Sequence, residues 1–368
     1  MKILFIGTRG IPGNYGGFET CVEELAARLA KEHEVVVYCR SQYHQYKIKY
    51  YQGARLVYLP TVRVKFIDTL FHTTLSIIHA IIFNWNSYFL IFNSANSICL
   101  FLPFLLRRKM AINTDGLEWK RDKWGNIGKI YYQFAEWLAT KLVSNVITDS
   151  KGMHDYYVTR WNKKSTTIEY GAYTQKSINP RLITNYNIEP NKYFLQITRI
   201  EPENNPQLTL DSFIIFKKKN PGNEIKLVIV GDVPYKSQYS QLFKQTANCD
   251  DVVALGFEYD SDILTELRTN CLAYIHGNQV GGTNPALLEA MGAGAYVLAR
   301  DVLFNREVLS SGGKYYDRDE YDLAEKMNWV VQNECDLARS IEYSVSRIRN
   351  YYNWDRIANE YSNLISVK

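Results

Sequence analysis

After Lys2, Ile3 to Ile6 is a short unbroken apolar run that closes on Gly7. Such a run suits a parallel strand buried on both faces, and it constrains the fold more than anything else in the chain. The loop after it, TRGIPGNYGG, holds Gly10, Gly13, Gly16 and Gly17. Helical periodicity follows, with Val22, Leu25, Ala26 and Leu29 on one stripe, and Glu34 to Arg40 reads as the second strand. Strand, glycine loop, helix and strand make a βαβ unit with a phosphate-sized gap over the helix N-terminus. Phe89 to Asn93, Met110 onward and Val143 to Ser150 read as further strands. After a polar stretch, Asn179 to Lys192, with Pro180 and Pro190, the alternation starts afresh at Tyr193. Two such alternations in 368 residues predict an α/β chain of two domains, 1–185 and 186–345.

A dinucleotide-binding Rossmann domain competes for the first half. Against it, the loop is not GxGxxG, and the second strand ends at Cys39-Arg40 without the acidic residue that grips a ribose. Arg40 still suits the 2′-phosphate of NADP. With 46 % hydrophobic and 22 % charged residues the chain is globular, and a net charge of +5 admits anionic ligands without calling for nucleic acid. The 28 tyrosines fit an interfacial or sugar-stacking protein, or a compositional bias. Six cysteines lie scattered without metal-ligand or CxxC spacing, as buried small hydrophobes of a reducing compartment do. The first apolar run is too short for a signal peptide, so a cytoplasmic protein is expected.

Phe66 to Phe83 is strongly apolar but carries Asp68, His72 and His79, so it reads as a helix with packed histidines and not as a membrane span. Lys47, Lys49, Arg63, Lys65 and Arg107-Arg108-Lys109 stand among aromatic and apolar residues. They suit a surface lying on anionic lipid, or simply a solvated face.

The densest signal is HGNQVGGTNPALLEAMGAG, His276 to Gly294. It reads as a strand end, a glycine-rich turn and a helix, with Asn284 as N-cap and Pro285 at the first helical position. Gly281, Gly282 and Thr283 lead into that helix, whose bare N–H groups make a site for a diphosphate. Glu289 sits one turn deeper, about 6 Å along the axis, where a carboxylate can accept hydrogen bonds from sugar hydroxyls. The plain alternative is a capped helix with a solvated glutamate. His276 either reaches the ligand or is structural.

This stretch resembles the C-terminal signature of the family-4 retaining glycosyltransferases, in which a Glu, seven residues and a second Glu precede Ala-Met-Ala-x-Gly. Glu289, Ala290, Met291, Gly292 and Gly294 are in register, whereas Gly281 stands at the first Glu position. The GGTNPALLEAM wording is similar to a rhamnosyltransferase branch that assembles bacterial capsule and cell-wall polysaccharide. PGNYGGFET, which contains Gly16, Gly17 and Glu19, resembles the family's first loop. TDGLEWKRDKW resembles its His-Gly-Leu-x-Trp-x-Arg-x-x-Trp pattern, with Asp115 at the His position and Trp119, Arg121 and Trp124 matching. Asp115 then serves the sugar or, alternatively, caps a turn. In YFLQITRIEPENN the family's diphosphate-clamping Arg is Arg199, and Asn204 occupies the position of its Lys. KLVIVGD ends in a turn at Gly231, and GFEYDSDIL, beginning near Phe257, resembles the segment holding the nucleotide base.

The resemblance implies the GT-B fold: two Rossmann-like domains facing across a cleft, with a Trp-containing C-terminal helix over 346–368, in YYNWDRIANEY, returning to the first. It implies Arg199, Gly231, Phe257, His276, the Gly281 to Asn284 turn and Glu289 on the donor. Gly16, Gly17, Glu19, Asp115, Trp119, Arg121 and Lys151 would stand toward the acceptor. No cofactor or metal is implied. The donor implied is dTDP-L-rhamnose, the acceptor a lipid-diphosphate-linked saccharide, and the location the inner face of the cell membrane. The triplets Asp260-Ser261-Asp262 and Asp317-Arg318-Asp319 sit where acidic N-caps are expected. A nucleotide-sugar binder without catalysis, or an enzyme using UDP-glucose or UDP-GlcNAc, is the alternative.

Overall fold

The structure is a computed structural model and describes residues 1–13, 16–62, 64, 67–121, 124–233 and 237–366. Asn14 and Tyr15 of the first loop, Arg63 and Lys65 of the expected basic surface, Phe66, and Asp122 and Lys123 lie outside the described residues.

The chain divides into two compact units, one formed by Met1–Tyr170 with Trp354–Lys368 and the other by Gly171–Asn353. The first is built on strands β1 (Lys2–Ile6), β2 (Glu34–Arg40), β3 (Tyr50–Tyr51), β4 (Ala54–Leu59), β5 (Ser87–Phe92), β6 (Met110–Asn113), β7 (Asn145–Thr148) and β8 (Thr166–Thr167). Their order in the sheet is β3-β4-β2-β1-β5-β6-β7-β8. Every pairing is parallel except the β3–β4 hairpin. Ile3, Leu4, Phe5 and Ile6 are buried because helices cover both faces of the central strand.

The helix Trp354–Ser366 belongs to this unit. It buries Trp354, Ile357, Ala358, Tyr361 and Ile365, a stripe at helical spacing. Asp355 accepts from Arg28 Nε at 2.7 Å, and the Tyr361 hydroxyl accepts from Asn113 Nδ2 at 2.7 Å.

The second unit has six parallel strands, β9 (Tyr193–Ile197), β10 (Lys226–Val230), β11 (Val252–Gly256), β12 (Ala273–His276), β13 (Val297–Arg300) and β14 (Gly313–Tyr316). Their order is β11-β10-β9-β12-β13-β14. Its core gathers Phe194, Leu210, Phe213, Phe216, Leu227 and Leu298.

The division falls between Tyr170 and Gly171, ahead of the boundary expected at 185 from composition. The polar, proline-bearing stretch is not a free linker. Glu266 accepts from the N–H groups of Ile178 and Asn179 and from the Ser177 hydroxyl, at 2.5, 2.7 and 2.7 Å. Ile183 and Ile188 are buried. One carboxylate satisfies the backbone of a segment whose composition alone reads as solvent-exposed.

Candidate active site

In the second unit the chain runs outward from β9 through β10 to β11, then returns to lay β12 on the other side of β9. The loops leaving β9 and β12 therefore part in opposite directions, and the crevice at their carboxyl ends is the topological switch point where open parallel sheets bind ligands. Here the two loops are laced together. Gln279 N–H donates to the Glu203 carbonyl at 3.1 Å, and Asn205 Nδ2 donates to the Gly277 carbonyl at 2.7 Å. Gln196 Nε2 donates to the Asn204 carbonyl at 3.1 Å. Gly277 has to be glycine, because a Cβ there would strike that same carbonyl. Gly231 at the end of β10 holds φ 126°, and a Cβ there would strike the Thr198 carbonyl.

The β12 loop ends at Asn284, whose side chain accepts from Ala286 N–H at 3.0 Å and starts the helix Pro285–Gly292. Gly281 holds φ 146° with open space where a Cβ would stand, so it is there for its backbone conformation. The N–H groups of Gly281, Gly282 and Asn284 have no partner among the described residues. They front a surface hollow lined by Asn278, Gly281, Gly282, Asn284, Val302 and Phe304. Thr283 is buried beneath it. Donors of this kind, with the helix dipole behind them, favour an anion.

Glu289 is one turn further on, with its side chain 38 % exposed, and Oε2 accepts from Arg268 Nη2. Arg268 is buried, and its Nε has no partner among the described residues. The ion pair fixes one carboxylate oxygen and leaves Oε1 for a ligand. Arg199 lies after β9 with its side chain 31 % exposed and its Nε 3.6 Å from the Glu201 carboxylate. Asn204 is buried, and its Nδ2 donates to the Arg199 carbonyl at 2.9 Å. It shapes the turn that carries Arg199 and does not present a polar group outward. Phe257 stacks on Tyr259 at 5.8 Å just beyond β11.

His276 is buried at the end of β12, where desolvation pushes its imidazole down to about 3. Its Nε2 has no partner among the described residues. It is a neutral, structural histidine, and a direct contact with a ligand is closed to it.

The first unit has its own switch point between β1 and β5. Gly7 holds φ 105° where a Cβ would strike the Phe92 carbonyl. Gly16 holds φ 132° and opens the helix Gly17–Leu29 with no side-chain cap, and Gly17 is exposed. Glu19 turns back on the loop, accepting from Arg9 N–H at 3.1 Å. Asp115 follows β6 in the left-handed region, φ 61°, with its N–H donating to Asn113 Oδ1 at 3.1 Å. Burial, with the Asp115 and Asp149 carboxylates behind it, pushes the Cys21 thiol and the Tyr170 phenol up. Glu118 holds both Arg121, at 2.7 Å, and Trp124, at 3.2 Å, so these two define a turn. Trp119 lies half-buried in that turn, and Lys151 is exposed at the start of the helix Lys151–Trp161.

Residues 181–347 match the family model described as glycosyl transferases group 1, and residues 1–173 match that of a domain of unknown function, DUF1972. The second unit thus matches the group 1 glycosyltransferase family over most of its length. Solved structures give the same two-unit fold. The chain is similar to sucrose-phosphate synthase from Thermosynechococcus elongatus at 15 % identity and TM-score 0.79, covering 99 % of this chain and 98 % of that one. It is similar to Anabaena HepE in complex with UDP-glucose at 16 % identity and TM-score 0.77, covering 100 % and 99 %. The α,α-trehalose-phosphate synthase from Burkholderia xenovorans, in complex with glucose-6-phosphate, matches at 8 % identity and TM-score 0.76 over 100 % of both chains. No curated protein sequence matches the chain. The fold these relatives share is GT-B.

In the first unit Arg40 is buried and paired with Asp68 at 2.8 Å, with Thr69 Oγ1 at 3.1 Å. It is committed to the core, so the NADP reading loses the cation it proposed for a 2′-phosphate. Both DxD triplets are helix starts: Asp260 accepts from Asp262 and Ile263 N–H, and Asp319 from Tyr321 N–H. His72 is buried, and His79 bonds the Tyr38 hydroxyl at 3.0 Å, so the histidines of the apolar helix are packed. The residue that sequence reasoning missed is Arg268. A partner lying on a different helix from Glu289 leaves no local pattern to find.

Proposed function

We propose that this glycosyltransferase moves L-rhamnose from dTDP-L-rhamnose onto a lipid-diphosphate-linked saccharide, retaining the anomeric configuration and using no metal. One observation carries the reading: the laced loops at the switch point end in a turn of unpartnered N–H groups, with Glu289 held one turn behind them. In this reading those N–H groups and Arg199 take the diphosphate, Oε1 of Glu289 takes the ribose hydroxyls, and the segment at Phe257 takes the base. The acceptor oxygen bonds to the anomeric carbon as the bond from that carbon to the leaving phosphate oxygen breaks. The acceptor proton passes to that phosphate oxygen on the same face. No side chain need be a strong base, which suits a chain with Asp115 where a His is usual.

Asp115 stabilises the positive charge developing on the sugar. Glu19, Trp119, Arg121 and Lys151 stand on the acceptor side, Glu19 by holding the glycine loop in shape. Rhamnose rests on the likeness of GGTNPALLEAM to the rhamnosyltransferase branch. UDP-glucose is the second reading, favoured by the HepE complex that matches along the whole chain. The site acts at the inner face of the membrane, where a lipid-linked acceptor resides. A donor panel of dTDP-rhamnose, UDP-glucose, UDP-GlcNAc and GDP-mannose with a lipid-diphosphate monosaccharide, read by mass spectrometry, decides between them. Product from dTDP-rhamnose alone supports the reading, and product from another donor alone replaces rhamnose.

A further inference from the structure

The outer surface of the first unit carries an apolar shelf that the sugar chemistry does not use. On the helix Ile67–Phe83, Ile67, Phe71, Ile78 and Ile82 recur at helical spacing and are all exposed. On the helix Asn126–Leu142, Ile127, Ile130, Phe134 and Trp137 do the same, with Ile127 86 % exposed. An amphipathic helix normally turns such a stripe inward. Both of these helices bury a second, different face and leave this one to solvent.

Between them runs the 3-10 segment Ser94–Leu100. Thr73 Oγ1 donates to Asn96 Oδ1 at 2.8 Å from one side, and Tyr131 OH donates to the Ala95 carbonyl at 2.6 Å from the other. The segment continues into the short helix Phe101–Leu105, where Phe101, Leu102, Phe104 and Leu105 are exposed, Leu105 at 72 %. The three elements thus share one seam, and each leaves apolar side chains to solvent, a clustering that marks an interaction surface. Among the described residues no helix is long and apolar enough to cross a membrane.

Among the described residues of these segments, the charges left to solvent have one sign. Arg107, Arg108 and Lys109 close the short helix, and Arg108 stacks on Trp85 at 4.3 Å, which anchors the cluster beside the end of the helix Ile67–Phe83. Lys129 stands between Ile127 and Ile130. The acidic residues of these helices are withdrawn: Asp68 is paired with Arg40, and Glu136 is buried. A protein partner or a second copy of this chain would need acidic groups to meet that cluster, and this face offers a second copy none among the described residues.

We infer that the shelf seats the first unit on an anionic lipid bilayer, the apolar side chains entering the acyl boundary and Arg107 and Lys109 meeting lipid phosphates. The inference rests on the proposed lipid-linked acceptor for its purpose, and on exposure and charge for its substance. The test is cosedimentation of the full chain with phosphatidylglycerol–phosphatidylcholine vesicles and with phosphatidylcholine alone. Wild type should bind the anionic vesicles and release at high salt. Ile127→Ser with Leu105→Ser should weaken binding on the order of a hundredfold. Arg107→Glu with Lys109→Glu should weaken it about tenfold or more.

All these variants should keep the wild-type melting temperature and turn over a donor with a water-soluble acceptor unchanged, which separates a failed docking surface from a failed sugar assignment. Wild type that ignores anionic vesicles, or variants that bind as wild type does, would overturn the inference. So would a dimer in sedimentation velocity that the same substitutions disperse, since the shelf would then be a protein interface.

Discussion

Removing Glu289 should do two separable things, because its carboxylate has two jobs. In Glu289→Ala the buried Arg268 guanidinium loses the acceptor on Nη2, while its Nε already lacks a partner among the described residues. Breaking a buried pair by deleting one member costs about 3–5 kcal/mol. The Glu289 side chain is 38 % exposed, so solvent already screens the pair, and about 2 kcal/mol is the better figure. In a unit of this size that is a drop of about 4–8 °C in melting temperature. Adding Arg268→Met removes the stranded cation and should restore at least half of that loss. Nucleotide binding should not return, since no carboxylate remains for the ribose. Arg268→Met alone should keep the carboxylate but free it to swing, weakening donor binding about tenfold. Differential scanning fluorimetry and titration with dTDP and UDP on the four proteins complete the cycle. If Glu289→Ala melts with wild type, Arg268 does not clamp Glu289; if the double variant binds nucleotide normally, Glu289 is not a ligand for the ribose.

Two buried titratable groups, one in each unit, contribute to the pH dependence of stability with opposite signs. His276 is held down at about 3 by burial, so as pH falls below about 6.5 the unfolded chain takes up a proton that the folded chain refuses. Stability should fall by about 1.4 kcal/mol per pH unit in that window, and His276→Gln should flatten the slope in a pH series of melting curves. Glu136 is pushed up to about 7 by desolvation, although Tyr156 OH donates to it at 2.9 Å. It stays protonated in the fold while the unfolded chain ionises near 4.5, so its contribution is lost as pH rises from 4.5 to about 7. Glu136→Gln should therefore be more stable than wild type at pH 8, by up to ~3 kcal/mol, and indistinguishable at pH 4. Gly277→Ala and Gly231→Ala place a Cβ against the Asn204 and Thr198 carbonyls, and each should cost about 2–3 kcal/mol and loosen nucleotide binding. Asn204→Lys should lower donor affinity, because it gives up the hydrogen bond to the Arg199 carbonyl; a gain in affinity would show that the turn tolerates a cation.

What the sequence made legible was local. The apolar run Ile3–Ile6 and the mostly apolar YFLQI marked the strands Lys2–Ile6 and Tyr193–Ile197, and an Asn-Pro pair marked the start of the helix Pro285–Gly292. The acidic triplets declared themselves as N-caps because that chemistry spans two or three residues. Partnerships made across the fold stayed hidden. Arg268 comes from another helix, and Glu266 gathers the backbone of Ile178 and Asn179 from far along the chain, so a segment with linker composition is part of the second unit. Asn204 illustrates the same limit. Read as a donor-side position, it stands in the structure as a buried brace, which only the geometry of its amide reveals. The apolar shelf was half visible, since the chain showed the residues but could not say which face of each helix would be covered.

The most direct test is a crystal structure of the protein soaked with dTDP or UDP. The diphosphate should lie against the N–H groups of the Gly281 to Asn284 turn, with Arg199 beside it and the ribose hydroxyls on Oε1 of Glu289. A nucleotide found instead over the loop between β1 and the helix Gly17–Leu29, with the β12 turn vacant, would contradict the account at its centre.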